Sequence, residues 1–511
     1  MKRRTLFFLP LFALFTFFLG AAPAWALTPG NLAVSRVGPS SAVLVVKADV
    51  PTNVTVDYGY APGSFAASAS SLGKIRHEVN LSGLDFSPYV YYRVTLTNSA
   101  NPADTVVLPE HGFHESRSAG QPFIFAVAGD NRPSGGTVQP AVWNTIVGQM
   151  ALENLDLSLN VGDMIYGAST DTLDQDVAKY DGFFAVTSQL TAGAPLYTAV
   201  GNHEMINYAS NKTGYEQELT LPVNNGAGAG TYGEEYYSFD DGDTHFVSLC
   251  TEIPGQAGYV TGNQLQWLTQ DLAQTTKRWK VVFLHRPLFG FSGQHPAEPW
   301  ADLTNVAGQQ NRNALIALFK QDDVNVVFMG HEHYYFHHAQ DGVQYVITGG
   351  GGAPLYPLPA LGPGDVYAAS TNEHVKVDET ATTLKLTAVD STGVTLESFT
   401  LGTPALSLSE ISSYWASYAD YLARDLSVDY SLANGGGDAT GLQLAYLTAT
   451  NGVMPVTQAP VPLGNLLSGA SAGMTVQYLI PQGVTYFRTV SYVTCGDLGG
   501  GTNAYPGPPP V

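Results

Sequence analysis

Pro195-Leu196-Tyr197-Thr198-Ala199-Val200-Gly201-Asn202-His203-Glu204 is a short apolar run that stops at a glycine and then presents Asn and His. A run of this length closed by Gly reads as a buried strand, and the Asn-His stretch after it as a loop at the strand's end. The plan recurs four more times in a fixed order. Phe123 to Ala128 leads into Gly129-Asp130-Asn131-Arg132, and Leu155 to Val161 leads into Gly162-Asp163-Met164-Ile165-Tyr166. Trp279 to Leu284 ends at His285, and Val324 to Met329 ends at Gly330-His331-Glu332-His333. Helical spacing fills the intervals at Val138–Leu152, Leu173–Leu190, Gln264–Gln274 and Asn311–Lys320, and Tyr236–Cys250 reads as a hairpin turning at Asp241-Gly242. Strands alternating with helices predict an α/β architecture over residues 121–403, with its site on loops at the carboxyl ends of strands.

Those loops supply Asp130, Asp163, Tyr166, Asn202, His285, His331 and His333, a ligand set for two metal ions. Eight of the twelve histidines fall between His203 and His338, which suits a site assembled there. A Gly-Asp pair or an H-x-H is common by itself; five such motifs in order across one α/β region are not. Imidazole and carboxylate ligands suit Zn, Fe and Mn. Two ions about 3.5–4 Å apart can bind phosphate oxygens, lower the pKa of a bound water and stabilise a leaving oxygen.

The five motifs resemble those of the calcineurin-like metallophosphoesterases, and the resemblance covers essentially all of 121–350. It implies a four-layer β-sandwich flanked by helices. Most of that superfamily has Asp-x-His in the first motif, and the His binds a metal. Here Arg132 stands in that place, and a guanidinium stays protonated and cannot ligate. Tyr166, three residues after Asp163, matches the Gly-Asp-x-x-Tyr of purple acid phosphatases, in which a tyrosinate binds ferric iron.

Carried over motif by motif, the resemblance implies that Asp130, Tyr166 and His333 hold one ion. Asn202, His285 and His331 hold the other, and Asp163 bridges them. The pair would be Fe(III) with Fe, Zn or Mn(II), or two divalent ions if Tyr166 does not ligate. Iron-loaded protein without visible absorption would count against Tyr166. His203 is expected to touch the substrate phosphate or protonate the leaving group, and His295 is a second substrate-facing candidate on the loop after His285. Arg132 is expected to point into the cleft and pair with phosphate, for which its planar fork is well shaped; a salt bridge to a nearby carboxylate is the competing expectation. His337 and His338 are assigned structural or surface roles. The implied reaction is hydrolysis of phosphate monoesters by in-line attack of a metal-bound hydroxide. A phosphodiesterase or nucleotidase on the same scaffold is the alternative within enzymes, chosen by preference for a diester. A surface-binding protein with a vestigial metal site is the alternative outside them, favoured by a metal-free, inactive preparation.

The flanks read differently. Residues 1–26 have a basic start (Lys2-Arg3-Arg4), an apolar stretch from Leu6 to Leu19 and the small-x-small Ala24-Trp25-Ala26, the pattern of an export signal. Secretion to a periplasmic or extracellular space is expected, with no membrane-spanning segment after cleavage. Asn53, Asn80 and Asn211 lie in glycosylation sequons, which matter only in a eukaryotic host. Residues 28–118 read as all-β. Their Leu84-to-Val94 stretch resembles the fibronectin type III-like domain that precedes the catalytic domain of plant-type purple acid phosphatases, with Val90 in place of a Tyr. His77, His111 and His114 read there as surface or loop residues.

Residues 404–511 read as a small β-sandwich, a candidate surface or matrix attachment module, with a disordered end over Pro506–Pro510. Within it Ser407-x-x-Glu410 reads as a capping box, and Ile411, Trp415, Tyr418 and Leu422 as the packing face of a helix. A net charge of −21 over 511 residues argues against a nucleic-acid platform. It also requires local positive charge wherever phosphate is handled. Cys250 and Cys495, the only cysteines, make no disulfide framework.

Overall fold

The computed structural model describes residues 27–85, 89–205, 214–226 and 232–496, with the backbone of 504–506. The expected export signal over 1–26, the Asn211 sequon and all but the first residue of Pro506–Pro510 lie outside the described residues.

Two sheets form the centre of the molecule. One has seven strands in the order Tyr237–Asp241, Thr244–Leu249, Trp279–Leu284, Val326–Met329, Val343–Thr348, Tyr335–Gln340 and Asp365–Ala369. The other has six, in the order Thr395–Gly402, Thr383–Asp390, Glu373–Glu379, Phe123–Ala128, Leu157–Asn160 and Leu196–Thr198. The strands that end in the five motifs run parallel to one another within each sheet, and antiparallel strands extend both sheets beyond them.

Period-two patterning explains the layering. Phe246, Val281, Phe283, Val326, Phe328 and Val346 face the core between the sheets. Their alternates Val247, Val282, Leu284, Val327, Met329, Tyr345 and Ile347 face the other way, towards Leu268 and Leu272 of helix Gly262–Gln274 and Leu315 and Phe319 of helix Val306–Gln321. Strands buried on both faces read as continuous apolar runs, as these do. Phe125 meets Phe246 edge to face across the inter-sheet core, with centroids 5.2 Å apart. Replacing such a ring with alanine costs about 3–5 kcal/mol. Helices Ala141–Leu152 and Leu173–Thr191 cover the second sheet, giving helix, sheet, sheet, helix. Thr172 starts the longer helix with a reciprocal side-chain and backbone cap to Gln175.

An all-antiparallel six-stranded arrangement precedes this centre. Its long strand Ser41–Gly59 pairs with Ala67–Ser82, and with Pro29–Ser35 and Val90–Asn98. It is fastened to helices beside the second central sheet by buried polar contacts. Lys47 Nζ pairs with Glu218 at 2.9 Å, Tyr92 donates to the Ala192 carbonyl at 2.6 Å, and Thr191 donates to the Leu32 carbonyl at 2.9 Å. His77 is not on the surface as expected. It is fully buried, with its Nε2 3.0 Å from Thr52 Oγ1 and 2.9 Å from the Lys74 carbonyl.

Two four-stranded sheets come after the centre, and here a second expectation fails. Leu406–Tyr414 is a strand paired with Asp425–Asn434, so Ser407 and Glu410 cap nothing. The helix is only Tyr418–Ala423, and its true cap is Ser417, which accepts from Asp420 N–H at 3.1 Å. Ile411, Tyr418 and Leu422 are 65%, 75% and 64% exposed, and of the expected packing face only the half-buried Trp415 packs against the core of this region. Spacing at i, i+4 imitated a helix across a strand, a bend and one helical turn. No helix among the described residues is long and apolar enough to cross a membrane.

Candidate metal centre

Every expected ligand except Tyr166 lies within four residues of a strand's carboxyl end, and the backbone there is distorted. Asp130, Asp163 and His331 have φ of 54°, 55° and 71°. Non-glycine residues rarely occupy this left-handed region, and it persists where surrounding structure enforces it, commonly at functional sites. The glycines preceding the ligands allow the loops to crowd. A Cβ on Gly330 would lie 2.5 Å from Asp130 Oδ2, and one on Gly201 would strike Asp163.

Asp130, Asp163 and His333 are buried and place ligand atoms within 4.8 Å of one another. One Asp130 oxygen accepts from His331 N–H at 2.8 Å, while the other is buried without a hydrogen-bond partner, 3.6 Å from His333 Nε2. A buried carboxylate oxygen with nothing to satisfy it is costly, and a cation there would remove the cost. Burial, and then the charge of Asp163, pushes the Asp130 carboxyl well above its ordinary range. Burial pushes Asp163 the same way, but His285, His203 and Arg132 outweigh it and hold that carboxyl below its usual range.

The second group interlocks. His285 Nε2 lies 3.0 Å from Asn202 Oδ1, 3.1 Å from His331 Nδ1 and 3.4 Å from Asp163 Oδ1. Asp163 therefore touches both groups. The remaining imidazole nitrogens are committed elsewhere. His285 Nδ1 faces the Val161 carbonyl at 2.9 Å, His333 Nδ1 the Pro354 carbonyl at 2.7 Å, and His331 Nε2 the Glu298 carboxylate at 2.7 Å. With protons on those atoms, the lone pairs point inward from His285 Nε2, His333 Nε2 and His331 Nδ1. Burial lowers the pKa of His331 far below the ordinary value and that of His333 to about 4. Neutral imidazole is the form that binds metal. These donors fit two metal ions.

Tyr166 is half-buried, with its ring 4.5 Å from the His203 ring and the Arg132 guanidinium 5.1 Å from its centre. Arg132 makes the salt bridge of the competing expectation: its Nε is 3.0 Å from Oδ2 of the buried Asp163, and Arg132 itself is half-buried. His203 N–H donates to Asp163 Oδ1 at 3.1 Å, and its Nε2 lies 3.9 Å from Oδ2. His295 stacks obliquely on His331 at 4.2 Å, with its Nδ1 3.7 Å from Glu332. His337 and His338 are buried on opposite faces of strand Tyr335–Gln340, stacked on Phe399 and Phe289, and pair with Glu397 at 2.9 Å and Asp365 at 2.7 Å.

Several residues carried no expectation. Glu204, buried, accepts from the amides of Gly201, Asp163, Met164 and Ile165 and so ties two motif loops together. Burial and Asp163 raise its carboxyl to about 8, against the pull of those amides. Glu298 holds His331 and is itself paired with Arg286, which also grips Glu252 through two bonds of 2.5 and 2.8 Å. Tyr356 lies face to face with His333 at 4.0 Å. The only sequence hint was an acid three residues after His295 and an arginine beside His285.

The calcineurin-like phosphoesterase family profile matches residues 114–335. Purple acid phosphatase 15 of Arabidopsis thaliana is 27% identical over 305 residues, 54% of each chain. The chain spans about half the length of the curated relatives it matches first, 54% and 50%. A purple acid phosphatase structure from yellow lupin (Lupinus luteus) seeds superposes with a TM-score of 0.60 at 18% identity, over 73% of this chain and 74% of that one. A structure of PhoD does so with 0.53 at 15%, over 74% and 94%. Residues 114–335 thus match the calcineurin-like phosphoesterase family, and over about half of the chain the sequence is similar to purple acid phosphatases.

Proposed function

We propose that the chain is a secreted hydrolase of phosphate monoesters that works with two metal ions. The observation carrying this reading is the shared carboxylate: Asp163 belongs to the Asp130–His333 group and lies 3.4 Å from His285 in the other. Asp130, Tyr166 and His333 would hold one ion, and Asn202, His285 and His331 the other. Bound there, two ions would supply positive charge for the phosphate oxygens and acidify a water.

The chain's own residues do the rest. Arg132 sits on an oxygen of Asp163 that a bridging role requires; its guanidinium then turns to the phosphate, in a chain whose net charge is −21. His203, whose backbone N–H donates to Asp163 and whose ring lies 4.5 Å from that of Tyr166, orients the phosphate. His295, whose pKa the nearby carboxylate of Glu332 raises against burial, is suited to deliver a proton to the leaving oxygen.

Asp163→Asn tests the reading. Hydrolysis of p-nitrophenyl phosphate should fall at least about 100-fold, whereas parent-level turnover would refute it. Preference of the parent for bis-p-nitrophenyl phosphate would move the assignment to a phosphodiesterase.

A further inference from the structure

Residues 349–364 connect strand Val343–Thr348 to strand Asp365–Ala369, and the first part of this loop is bonded to the metal centre. Ala353 N–H donates to the Asp130 carbonyl at 2.8 Å, and Tyr356 N–H to the His333 carbonyl at 3.1 Å. His333 Nδ1 in turn faces the Pro354 carbonyl at 2.7 Å. These bonds fix the Tyr356 ring against the His333 imidazole, with centroids 4.0 Å apart and planes 19° apart. The same ring is 5.7 Å from the His295 ring, at 59°. Tyr356 thus stands between a candidate metal ligand and the candidate leaving-group acid.

The rest of the loop is apolar yet open to water. Leu355, Leu358 and Leu361 are 38%, 40% and 56% exposed, and Pro354, Pro357 and Pro359 stiffen the backbone among them. Single exposed leucines need no explanation, but a run of them continuous with a fixed aromatic ring beside a catalytic centre marks a ligand surface.

We propose that Tyr356, with Leu355 and Leu358, forms the subsite for the leaving group of the ester, and that it selects aromatic or otherwise apolar alcohols over polyhydroxylated ones. This rests on the hydrolase reading above. The phosphate lies over the metal centre, so the group on its ester oxygen extends from there past His295 and meets the Tyr356 ring. An aromatic leaving group gains ring contact and shields the leucines from water. A sugar or glycerol group would lose water hydrogen bonds against the same leucines without replacement.

Phenylphosphonate and methylphosphonate share a headgroup, cannot be hydrolysed as esters and differ in the ring, so competitive inhibition of the metal-loaded full chain reads the subsite alone. Phenylphosphonate should bind more tightly by about 3- to 10-fold, the worth of an aromatic contact. Tyr356→Ala should remove that preference and Tyr356→Phe should retain it, both with the parent's metal content. Equal inhibition by the two phosphonates, or a preference that survives Tyr356→Ala, overturns the subsite while leaving the hydrolase reading intact. A loaded chain that hydrolyses no phosphate ester overturns both.

Discussion

The two halves of the metal centre are built on opposite principles. Around His285 and His331 the outward nitrogens are satisfied, His285 Nδ1 by the Val161 carbonyl and His331 Nε2 by Glu298, and Arg286 and Glu252 continue the network outward. Around Asp130 the polar atoms are not all satisfied: one carboxylate oxygen is buried alone, and an arginine occupies the shared Asp163. The first half is braced from outside by that network. The second has a deficit that a cation would relieve. Order of loading and response to mutation should therefore differ between them.

Asp130→Asn should separate the halves most sharply. It discharges the unsatisfied carboxylate, so the chelator-treated chain should become more stable by about 1–3 kcal/mol. The same variant should lose one ion of the pair, and hydrolysis should fall at least about 100-fold. Thermal unfolding and metal analysis of one preparation check both; a less stable metal-free variant would mean that Asp130 has a partner in the fold.

Glu298→Gln tests the braced half. Glutamine can still accept from His331 Nε2 but no longer pairs with Arg286. Affinity for the ion held by His331 should fall about 10-fold while the other ion is unaffected. Competition with a graded chelator resolves the two. Arg132→Ala should leave both ions in place and weaken inhibition by inorganic phosphate about 10-fold, the effect of one charged hydrogen bond. Unchanged phosphate inhibition would confine Arg132 to its contact with Asp163.

A control lies outside both halves. His245 joins the hairpin of Tyr237–Asp241 and Thr244–Leu249 to helix Gly262–Gln274, through Asp240 at 2.6 Å and Asp271 at 2.9 Å. Burial opposes its charge, but the two carboxylates raise its pKa to about 9. A raised folded-state pKa stabilises fully below the unfolded value of about 6.5, and the benefit disappears as pH climbs through 9. Parent protein should lose about 1–2 kcal/mol between pH 6 and pH 10 that His245→Asn does not lose. Unfolding measured at the two pH values checks it, with metal content unchanged.

How a feature is encoded decides whether the sequence reveals it. Strands such as Val326–Met329, buried on both faces, are written as unbroken apolar runs, and their ends locate Asp130, Asp163, Asn202, His285 and His331 without any structure. Glu298, Arg286 and Tyr356 sit on loops that lack periodicity, so their approach to the ligands is a tertiary fact. Arg132 was flagged because it departs from the family's pattern, but its partner could not be read from it. His77 and the Ile411–Leu422 stretch misled for the same reason: residue type and local spacing do not report burial. A histidine can be buried inside a strand pair, and apolar residues at helical spacing can lie on a strand and a single helical turn, mostly in the open.

Counting metal on the purified full chain tests the shared-carboxylate centre most directly. The account predicts two ions per chain in the parent and no more than one in Asp163→Asn. A parent chain that hydrolyses phosphate esters with a single ion bound, or an Asp163→Asn variant that still holds two, would contradict it.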